Sequence, residues 1–453
     1  MTSVAIVGAG PAGIRAAEVL VEAGVSPVMI DEGARAGGQA YRTPSPGLDL
    51  DMPSLLGSEA DKYQRLHETF ARLKETIDYR PGTTVWGVFD NQLYTRSADG
   101  DGTVPFDALI LATGATDRTF PVRGWTKPGV FTLGGAQVLL KDQGCLIGRR
   151  VVFCGSSPLL YLAALQYRQM GAEIAAILDT SSLIDKARAF GDLAANLPTL
   201  RRGLGYMGKL RAAGVRMRHG VKLRAFEGAD RVSGVTFDSG NGTTETISCD
   251  AVAYGFGLKP ETQLAELAGC TLAYSADFRQ WLPVADEDGR SSKGLYVAGD
   301  GATIGGADAA ELSGALAAHA LLQDHEMTIS RTGVPAMRKQ LARFRRFQRG
   351  LARAFAWPSQ ETTTLADDIT LCRCENISVG DMRAALAVDL KPLEINRTKA
   401  ITRCGMGRCQ GRFCGLAAAE LTASVLGRPL SEIGYLRVQA PVKPLLITPV
   451  ESA

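Results

Sequence analysis

Histidine is scarce in this sequence, and its scarcity removes several kinds of active site from consideration. The four histidines, at positions 67, 219, 319 and 325, lie apart from one another and from every motif described below. We therefore expect them to be structural. No other pair of side chains stands out for acid–base chemistry, so no catalytic residue is predicted.

Two further absences concern charge and hydrophobic runs. The 50 lysines and arginines nearly balance the 47 acidic residues, and a net charge of +3 gives no reason to expect nucleic acid as a partner. No apolar run reaches the roughly 18 residues that a membrane-spanning helix requires, so no transmembrane segment is predicted. The first residues already read as a strand, so we expect neither a signal nor a transit peptide.

The nine cysteines form no Cys-x-x-Cys pair, which is the redox dithiol of thioredoxin-like enzymes. Disulfide reductase chemistry is therefore not expected. Their odd number, without a predicted secretion signal, favours reduced thiols over a disulfide framework and indicates a cytoplasmic protein. Five of them lie in one window of 43 residues, from Cys372 to Cys414.

Glycine, in contrast, is abundant, with 51 residues gathered in short clusters. The first cluster lies between a predicted strand, VAIV, and a predicted helix, as in a dinucleotide-binding turn. Gly8 permits the tight bend, Gly10 lets the backbone approach a pyrophosphate, and Gly13 allows close packing of the helix on the strand. The next strand ends at Asp31 and Glu32, where an acid can hold a ribose hydroxyl pair. Asp31 is the favoured acid and Glu32 the alternative.

Three further segments indicate a flavin. They are GGQAYR (37–42), LILATGA (109–115) and GLYVAGDGA (294–302), in which an aspartate precedes a glycine-rich helix start. With the first turn, they resemble the flavoproteins with two dinucleotide-binding domains, of the thioredoxin-reductase and sarcosine-oxidase type. The resemblance implies bound FAD, with the positive end of the helix after Asp300 aimed at the flavin ring. The cofactor-binding residues that it implies are Gly8, Gly10, Pro11, Ala12, Gly13, Asp31, Glu32, Gly38, Gln39, Arg42, Ala112, Thr113, Gly114, Gly299 and Asp300.

A second strand–turn–helix–strand unit begins at residue 149 with an incomplete fingerprint. Its turn keeps Gly155, but Ser157 and Leu160 replace the other two glycines. A side chain at 157 would crowd a pyrophosphate, and Leu160 would hold the helix away from the strand. Asp179, at the end of the next strand, could still meet a ribose. We expect a retained fold without a bound nucleotide; NAD(P) binding is the alternative that these residues disfavour.

Two segments have helical spacing without a binding motif. Residues 181–214 are rich in Leu, Arg and Gly, and predict a solvated helical excursion; the alternative is a docking surface for a partner subunit. Residues 331–365 combine basic and apolar positions and predict a connector helix that Pro358 ends. An amphipathic connector is favoured there, and peripheral contact with a membrane surface is the alternative.

The cysteine window contains Cys372-Arg-Cys374, then Cys409 and Cys414, with Cys404 as a fifth thiol. Thiolates in such a group fit Zn²⁺ or an iron–sulfur cluster, and the Cys-x-Cys pair is tighter than the usual zinc spacing. We favour one [2Fe–2S] centre over zinc and over metal-free thiols, and interpret Cys404 as a bystander. Glycine N–H groups of the window would raise the potential of such a cluster, and so would its four arginines, Arg373, Arg403, Arg408 and Arg412.

A closer resemblance covers nearly the whole chain. CRCENIS (372–378), TRCGMGRCQGRFCG (402–415) and LRVQAPVKPLL (436–446) resemble the larger subunits of opine oxidases, hydrogen cyanide synthases and heteromeric D-hydroxyproline or proline dehydrogenases. DEGARAGGQAYR (31–42) and YGFGLKPETQLAELAGC (254–270) agree with it. The resemblance implies a helical cluster domain of the bacterioferritin-associated-ferredoxin type. Its implied [2Fe–2S] ligands are Cys372, Cys374, Cys409 and Cys414.

The expected fold class is α/β, a two-dinucleotide-binding-domain flavoprotein with a small C-terminal helical [2Fe–2S] domain. The FAD domain is predicted over 1–119 and 284–330, with the second, NAD(P)-binding-like Rossmann domain inserted at 120–283. The connector helix follows at 331–365, and the cluster domain with its tail at 366–453.

The resemblance implies an electron-transfer subunit of an amine or imino-acid dehydrogenase. A separate FAD-containing β subunit, similar to D-amino-acid oxidases, would oxidise the substrate, and a small ferredoxin-like γ subunit is a further partner that the resemblance allows. Electrons would pass through the cluster and this chain's FAD to an acceptor. A stand-alone NAD(P)H-dependent reductase and a non-enzymatic scaffold are the alternatives. The sequence identifies neither the substrate nor the acceptor.

Overall fold

The computed structural model describes residues 2–327, 330, 332–388 and 392–445. The first strands, numbered along the chain, are β1 (Val4–Val7), β2 (Val28–Ile30), β3 (Asp78–Arg80), β4 (Thr84–Phe89), β5 (Gln92–Ser97), β6 (Gly100–Pro105), β7 (Ala108–Leu111), β8 (Ala115–Asp117) and β9 (Val130–Thr132). The middle strands are β10 (Arg150–Gly155), β11 (Glu173–Asp179), β12 (Met217–His219), β13 (Lys222–Glu227), β14 (Gly234–Asp238), β15 (Thr244–Ser248), β16 (Ala251–Gly255) and β17 (Leu258–Pro260). The last are β18 (Leu272–Ser275), β19 (Gln280–Pro283), β20 (Arg290–Ser292), β21 (Leu295–Val297), β22 (Thr370–Cys372) and β23 (Ile377–Ser378).

The α-helices are numbered in the same way. Those of the first half are α1 (Pro11–Glu22), α2 (Met52–Leu56), α3 (Ala60–Leu73), α4 (Leu133–Gln143), α5 (Leu159–Gln169), α6 (Leu183–Arg188), α7 (Phe190–Leu193) and α8 (Leu197–Ala212). Those of the second half are α9 (Gln263–Leu267), α10 (Ala307–Asp324), α11 (Val334–Ala354), α12 (Ser359–Thr362), α13 (Val379–Leu386), α14 (Ile395–Thr402), α15 (Gly415–Leu426) and α16 (Leu430–Ile433). Short 3₁₀ helices lie at Gly57–Glu59, Ala194–Asn196 and Gly299–Gly301.

The first layer is a six-stranded sheet in the order β20-β21-β7-β1-β2-β3. Its strands are parallel except at the β20 edge. β1 and β7 are buried along their whole length, because helices α1 and α10 cover one face and the β4–β6 meander covers the other. This arrangement is why VAIV and ALIL read as continuous apolar runs.

The inserted unit has a five-stranded parallel sheet in the order β12-β11-β10-β16-β9. Alternate residues of β10 face opposite sides: Val151 and Phe153 pack on the helical side with α4 and α5, and Val152 and Cys154 pack on the other. The helical excursion over 181–214 is confirmed, as α6, α7 and α8, and its first two helices pack against α11.

The connector helix is shorter than its sequence predicts. It ends at Ala354, and Pro358 does not end it but precedes α12. The reason is Trp357, which turns inward and lies against the rings of Phe120 and Phe256 and under the guanidinium of Arg118. Burial of this large ring outweighs one more helical turn.

The C-terminal part is a small helical unit around the β22–β23 hairpin. A capping box between Ser378 and Asp381 starts α13, and α15 crosses behind it. Residues 446–453 of the predicted cluster domain lie outside the described residues. The buried apolar side chains of this unit and of the inserted sheet form one continuous core, and Trp125 Nε1 donates to Thr370 O at 2.6 Å across the boundary.

A buried ion pair also joins this unit to the rest of the molecule. Arg412 donates from Nε to Glu261 Oε2 at 2.6 Å and from Nη2 to Oε1 at 3.1 Å, a bidentate geometry. Burial would raise the pKa of Glu261, but the charge and hydrogen bonds of Arg412 outweigh it, so the pKa lies below its usual value. The tail joins at the same point, since Arg412 Nη1 donates to Val442 O at 2.7 Å.

Among the described helices, none combines the length and the apolar character needed to cross a membrane.

We predict that Glu261→Gln destabilises the protein by about 3–5 kcal/mol at neutral pH, because it leaves a buried guanidinium without a counter-charge. Since the folded pKa of Glu261 is lowered, the pair contributes fully above the unfolded value of about 4.3 and is lost as pH falls through the lower, folded value. Urea unfolding at pH 7 and at about pH 2.5 measures both effects.

The matched control is Asp368→Asn. It removes the exposed ion pair with Arg123, which spans the same boundary. An exposed pair contributes at most about 1 kcal/mol, so this variant should unfold close to the wild type. Equal losses in the two variants would contradict the importance of the buried pair.

Candidate functional site

One large cavity gathers the predicted flavin residues. Its volume is about 1940 Å³, above the roughly 300–1,000 Å³ of ordinary small-molecule sites, as an extended dinucleotide requires. Every residue predicted to bind FAD lines it except Gly13. A side chain at Gly13 would collide with Gly8 O, so Gly13 serves the packing of α1 against the turn.

The turn between β1 and α1 is shaped to receive a phosphate group. Gly8 has φ of +109°, and a side chain there would collide with Ala112 O. The space beside Gly10 is open: the nearest atom, Gly38 Cα, is 3.7 Å from the position that a Cβ atom on Gly10 would occupy. Pro11 and Ala12 line the cavity at the start of α1, whose first N–H groups have no partner within the helix. The backbone therefore fits the pyrophosphate of FAD.

The two predicted ribose acids have different surroundings. Asp31 accepts from the N–H of Ala9 at 2.5 Å and of Gly33 at 2.6 Å, so it also braces the glycine turn. Burial raises the pKa of Asp31, although these hydrogen bonds oppose the rise. Glu32 is exposed at the cavity rim and forms an ion pair with Lys443 of the tail. Both carboxylates thus lie at the end of the cavity where a ribose is expected.

The other two flavin segments meet at the far side of the turn. Thr113 Oγ1 donates to Glu261 O at 2.6 Å, which fixes the small-residue turn after β7. Asp300 is partly buried, and its Oδ1 accepts from the N–H groups of Gly305 and Gly306 at 2.7 and 2.9 Å. These bonds hold the start of α10 against the cavity, and burial raises the pKa of Asp300.

A buried lysine, Lys141, lines the cavity without a carboxylate partner among the described residues. Its Nζ donates to Gln137 Oε1 at 3.2 Å and to Ala40 O at 3.4 Å. Burial and the nearby charge of Arg42 lower its pKa to about 8. A buried ammonium without a counter-ion costs stability in the empty protein, and it fits a site that receives an anionic ligand.

The second glycine turn keeps the bend of the first at Gly155, with φ of +124°, and differs at the positions that follow. Ser157 is buried in the turn, and its Oγ accepts from Leu159 N at 3.2 Å. Asp179, which could have met a ribose, is fully buried and receives Tyr161 Oη and Lys186 Nζ, each at 2.5 Å. Burial alone would raise the pKa of Asp179, but His219, Lys186 and neighbouring donors lower it. Asp179 is therefore paired with an internal cation.

The five clustered cysteines lie close together in space. The Sγ atoms of Cys372, Cys404 and Cys414 all lie within 4.8 Å of one another, and these residues are buried. Cys409 contacts both Cys414 and Cys374 and continues the group toward the cavity. Hydrogen bonds from Cys404 and Cys414 lower the pKa of Cys372, whereas the hydrogen bonds within the group raise the pKa of Cys414. The sulfur of Cys404 lies within this group of thiols, and its interpretation as a bystander stays a prediction.

The cysteine group opens onto the same cavity as the glycine turn. Cys374 and Cys409 line it, together with Arg408 and Phe413. The arginines of the window are partly engaged elsewhere: Arg412 pairs with Glu261, and Arg403 with Glu375 at 2.8 Å. Arg373 stacks on two rings, those of Phe413 and Trp125.

Sequence reasoning missed Glu261, Lys141 and Lys443. Glu261 and Arg412 are 151 residues apart, and no local pattern signals such a pair. Lys141 had a signal, because it falls on the apolar face of a helix whose other buried residues are Leu133, Ala136 and Leu140. A lysine at a core position indicates either a buried partner or a ligand.

We predict that Asp31→Asn weakens FAD binding by about tenfold or more, because Ala9 and Gly33 donate to different carboxylate oxygens and an amide keeps only one of the two. Glu32→Gln should weaken binding by less than about fivefold, since it loses mainly an exposed pair. Titration of apoprotein with FAD, followed by flavin fluorescence, measures both. The opposite ranking would make Glu32 the ribose acid.

We predict that Lys141→Met stabilises the apoprotein by about 2–3 kcal/mol at pH 7. Because the folded pKa is lowered, the penalty of the charged lysine is complete below about pH 8 and disappears above the unfolded value of about 10.4. Urea unfolding at pH 7 and pH 10.5 tests this. Saturating FAD should stabilise the wild type more than the variant.

The control for this change is Lys209→Met, at an exposed position of α8 outside the cavity lining. It should change neither the stability at pH 7 nor the effect of FAD by more than about 0.5 kcal/mol. Loss of stability in Lys141→Met at pH 7 would contradict the cost assigned to the buried charge.

Several known proteins are similar to this sequence over most of its length. The family described as pyridine nucleotide-disulphide oxidoreductase matches residues 2–321. The A subunit of opine oxidase from Rhizobium meliloti is 37% identical over 98% of this chain and 86% of its own length. The same subunit from Agrobacterium tumefaciens (strain Ach5) is 36% identical over 97% and 89%. Hydrogen cyanide synthase subunit HcnB of Pseudomonas protegens is 30% identical over 97% and 95%.

Similarity to solved structures agrees at the level of the fold. The crystal structure of L-proline dehydrogenase from P. horikoshii has a TM-score of 0.71 at 22% identity, over 98% of this chain and 78% of that one. The predicted Rossmann-type α/β flavoprotein fold is confirmed, and so is the resemblance to opine oxidase and hydrogen cyanide synthase subunits. The chain belongs to the pyridine nucleotide-disulphide oxidoreductase family of flavin oxidoreductases, and the opine oxidase A subunits are its relatives.

Proposed function

We propose that this chain is the electron-transfer subunit of a heteromeric, FAD-dependent dehydrogenase that acts on CH–NH or CH–NH₂ donors. In this proposal it holds FAD in the large cavity and a [2Fe–2S] cluster on Cys372, Cys374, Cys409 and Cys414. Its partner is a β subunit similar to D-amino-acid oxidases, which carries its own FAD and the substrate. In this proposal the inserted domain binds no NAD(P).

The observation that carries the proposal is the shared cavity. Cys374 and Cys409 line the same space as Gly10 and Asp300, so cluster and flavin would lie on two walls of one cavity. When bound, a flavin accepts a pair of electrons and a cluster passes them singly. The fully buried Cys372 and Cys414 would face away from that space, and the outer pair toward it.

The cavity wall itself supports a division of labour between subunits. Each of its carboxylates in the described residues is engaged: Asp31 and Asp300 by backbone N–H groups, Glu32 by Lys443 and Glu261 by Arg412. Asp117 accepts from Gly134 N, and Glu59 and Asp308 pair with Lys62. No histidine lines it among the described residues. None of these carboxylates is therefore free to take a proton from an amine.

The chain's own residues prepare the cavity for an electron carrier. The N-terminus of α10, which Asp300 holds in place, presents its positive end to the space between the two walls. Lys141 adds a second positive charge. Both would stabilise negative charge that develops on a bound flavin, and so favour its reduction.

The helical segment over residues 181–214 also supports the presence of a partner subunit. Five of the large apolar side chains exposed in the described residues lie between 183 and 204: Leu183, Ile184, Phe190, Leu197 and Leu204. Phe190 and Leu204 also line the cavity, so this apolar surface borders its mouth. The similar opine oxidase and hydrogen cyanide synthase proteins are themselves named as subunits. A β subunit seated on α6–α8 would cover the apolar side chains and close the mouth.

The test is to purify the chain alone and together with an amino-acid-oxidase-like subunit encoded beside it. The chain alone should carry FAD, iron and acid-labile sulfide, and should not oxidise opines, proline or hydroxyproline with an artificial electron acceptor. Activity should appear with the partner. Anaerobic NADH and NADPH should leave the flavin oxidised.

Amine oxidation by the isolated chain would contradict the proposal. Rapid flavin reduction by NADH or NADPH would instead favour a stand-alone reductase. Zinc without iron or sulfide in the purified protein would refute the cluster.

A further inference from the structure

We propose that Cys404 is a reserve ligand of the metal cluster and replaces Cys414 when that residue is lost. This inference rests on the proposed function, because it takes the cysteine pocket to hold a [2Fe–2S] cluster. It adds a fifth residue to the four ligands that the sequence predicts.

The separation of the sulfur atoms carries the inference. In tetrahedral coordination with metal–sulfur bonds of about 2.3 Å, two ligand sulfurs lie about 3.8 Å apart. The Sγ atoms of Cys372, Cys404 and Cys414 are all within 4.8 Å of one another. A shift of about one ångström, within the rotamer freedom of a cysteine, therefore brings Cys404 into coordination beside Cys372.

The sequence spacing makes Cys404 the counterpart of Cys414. Four residues separate Cys409 from Cys414, and four also separate Cys404 from Cys409. A pair formed by Cys404 and Cys409 thus has the same loop length as the pair formed by Cys409 and Cys414. The loop can supply either pair to the cluster.

The backbone holds Cys404 in this position. Arg403, directly after helix α14, has the left-handed conformation with φ of +64°, and the N–H of Cys404 donates to Thr402 Oγ1 at 3.1 Å. Cys404 is 1% exposed. Its sulfur points into the cysteine pocket, in contact with Cys372 and Cys414.

The ligand exchange conserves charge. When Cys404 binds in place of Cys414, one iron–sulfur bond forms where another is missing, and the Cys404 thiol gives its proton to water during cluster assembly. Four thiolates then surround the cluster as before. No electron is transferred, and no additional reagent is needed beyond the iron and sulfide that assemble any such cluster.

The experiment compares Cys404→Ala, Cys414→Ala, the double variant and Cys409→Ala in the full chain, purified anaerobically. Iron and sulfide per FAD are measured, and the dithionite-reduced cluster is examined by EPR. Cys404→Ala should keep the wild-type content and spectrum. Cys414→Ala should keep two irons per chain with shifted g values, because one ligand has moved.

The double variant should lose the cluster, and so should the matched control Cys409→Ala, for which the pocket has no equally spaced substitute. FAD content and thermal unfolding show whether each variant is folded. A folded Cys414→Ala chain without iron would overturn the reserve role. So would a double variant that keeps its cluster, or loss of the cluster in Cys404→Ala, which would make Cys404 an ordinary ligand. A wild-type chain without iron would overturn the proposed function itself, and is thereby distinguished from these results.

Discussion

The ion pair between Glu261 and Arg412 is the constraint on which the arrangement of both binding regions depends. Glu261 is fastened to the flavin side by its backbone, through bonds to Thr113 and Gly114, and to the cysteine loop by its side chain. Arg412 extends the link to the tail through Val442. Since both charges are buried, separating them would leave each without water to replace its partner. The cavity keeps its two walls because this pair keeps them together.

The inserted domain contributes to the interior of the molecule through its sheet. Its glycine turn carries Ser157, and Lys186 pairs with Asp179. The strand face opposite α5 supports the cysteine unit with a shared apolar core. This face can serve as a foundation for that unit because burial of apolar surface does not depend on a ligand.

Local sequence patterns predicted the strands and helices, but they could not predict contacts between residues far apart in the sequence. The strand–turn–helix unit at Gly8 and the buried strand at 108–111 were readable because their periodicity and glycines are local. The end of α11 was not, because Trp357 is drawn into a core formed by residues over 100 positions away. The closeness of Cys404 to Cys372 and Cys414 escaped these patterns for the same reason. Spacing along the loop identified which cysteines were near in sequence, and only the fold shows which sulfurs are near in space.

The continuous core beneath the cysteine unit has a kinetic consequence. A cofactor domain on a flexible linker must swing to its reaction partner, and its transfer rate then falls as solvent viscosity rises. Here Trp125, Phe120 and Trp357 lie in one packed body with the cysteine residues, so the described part of the chain seats the cysteine unit on a fixed base. Electron transfer between a cluster and a flavin on the two walls of the cavity would therefore proceed at a fixed separation. Added glycerol or sucrose, which raises the viscosity, should leave the rate of this electron transfer unchanged.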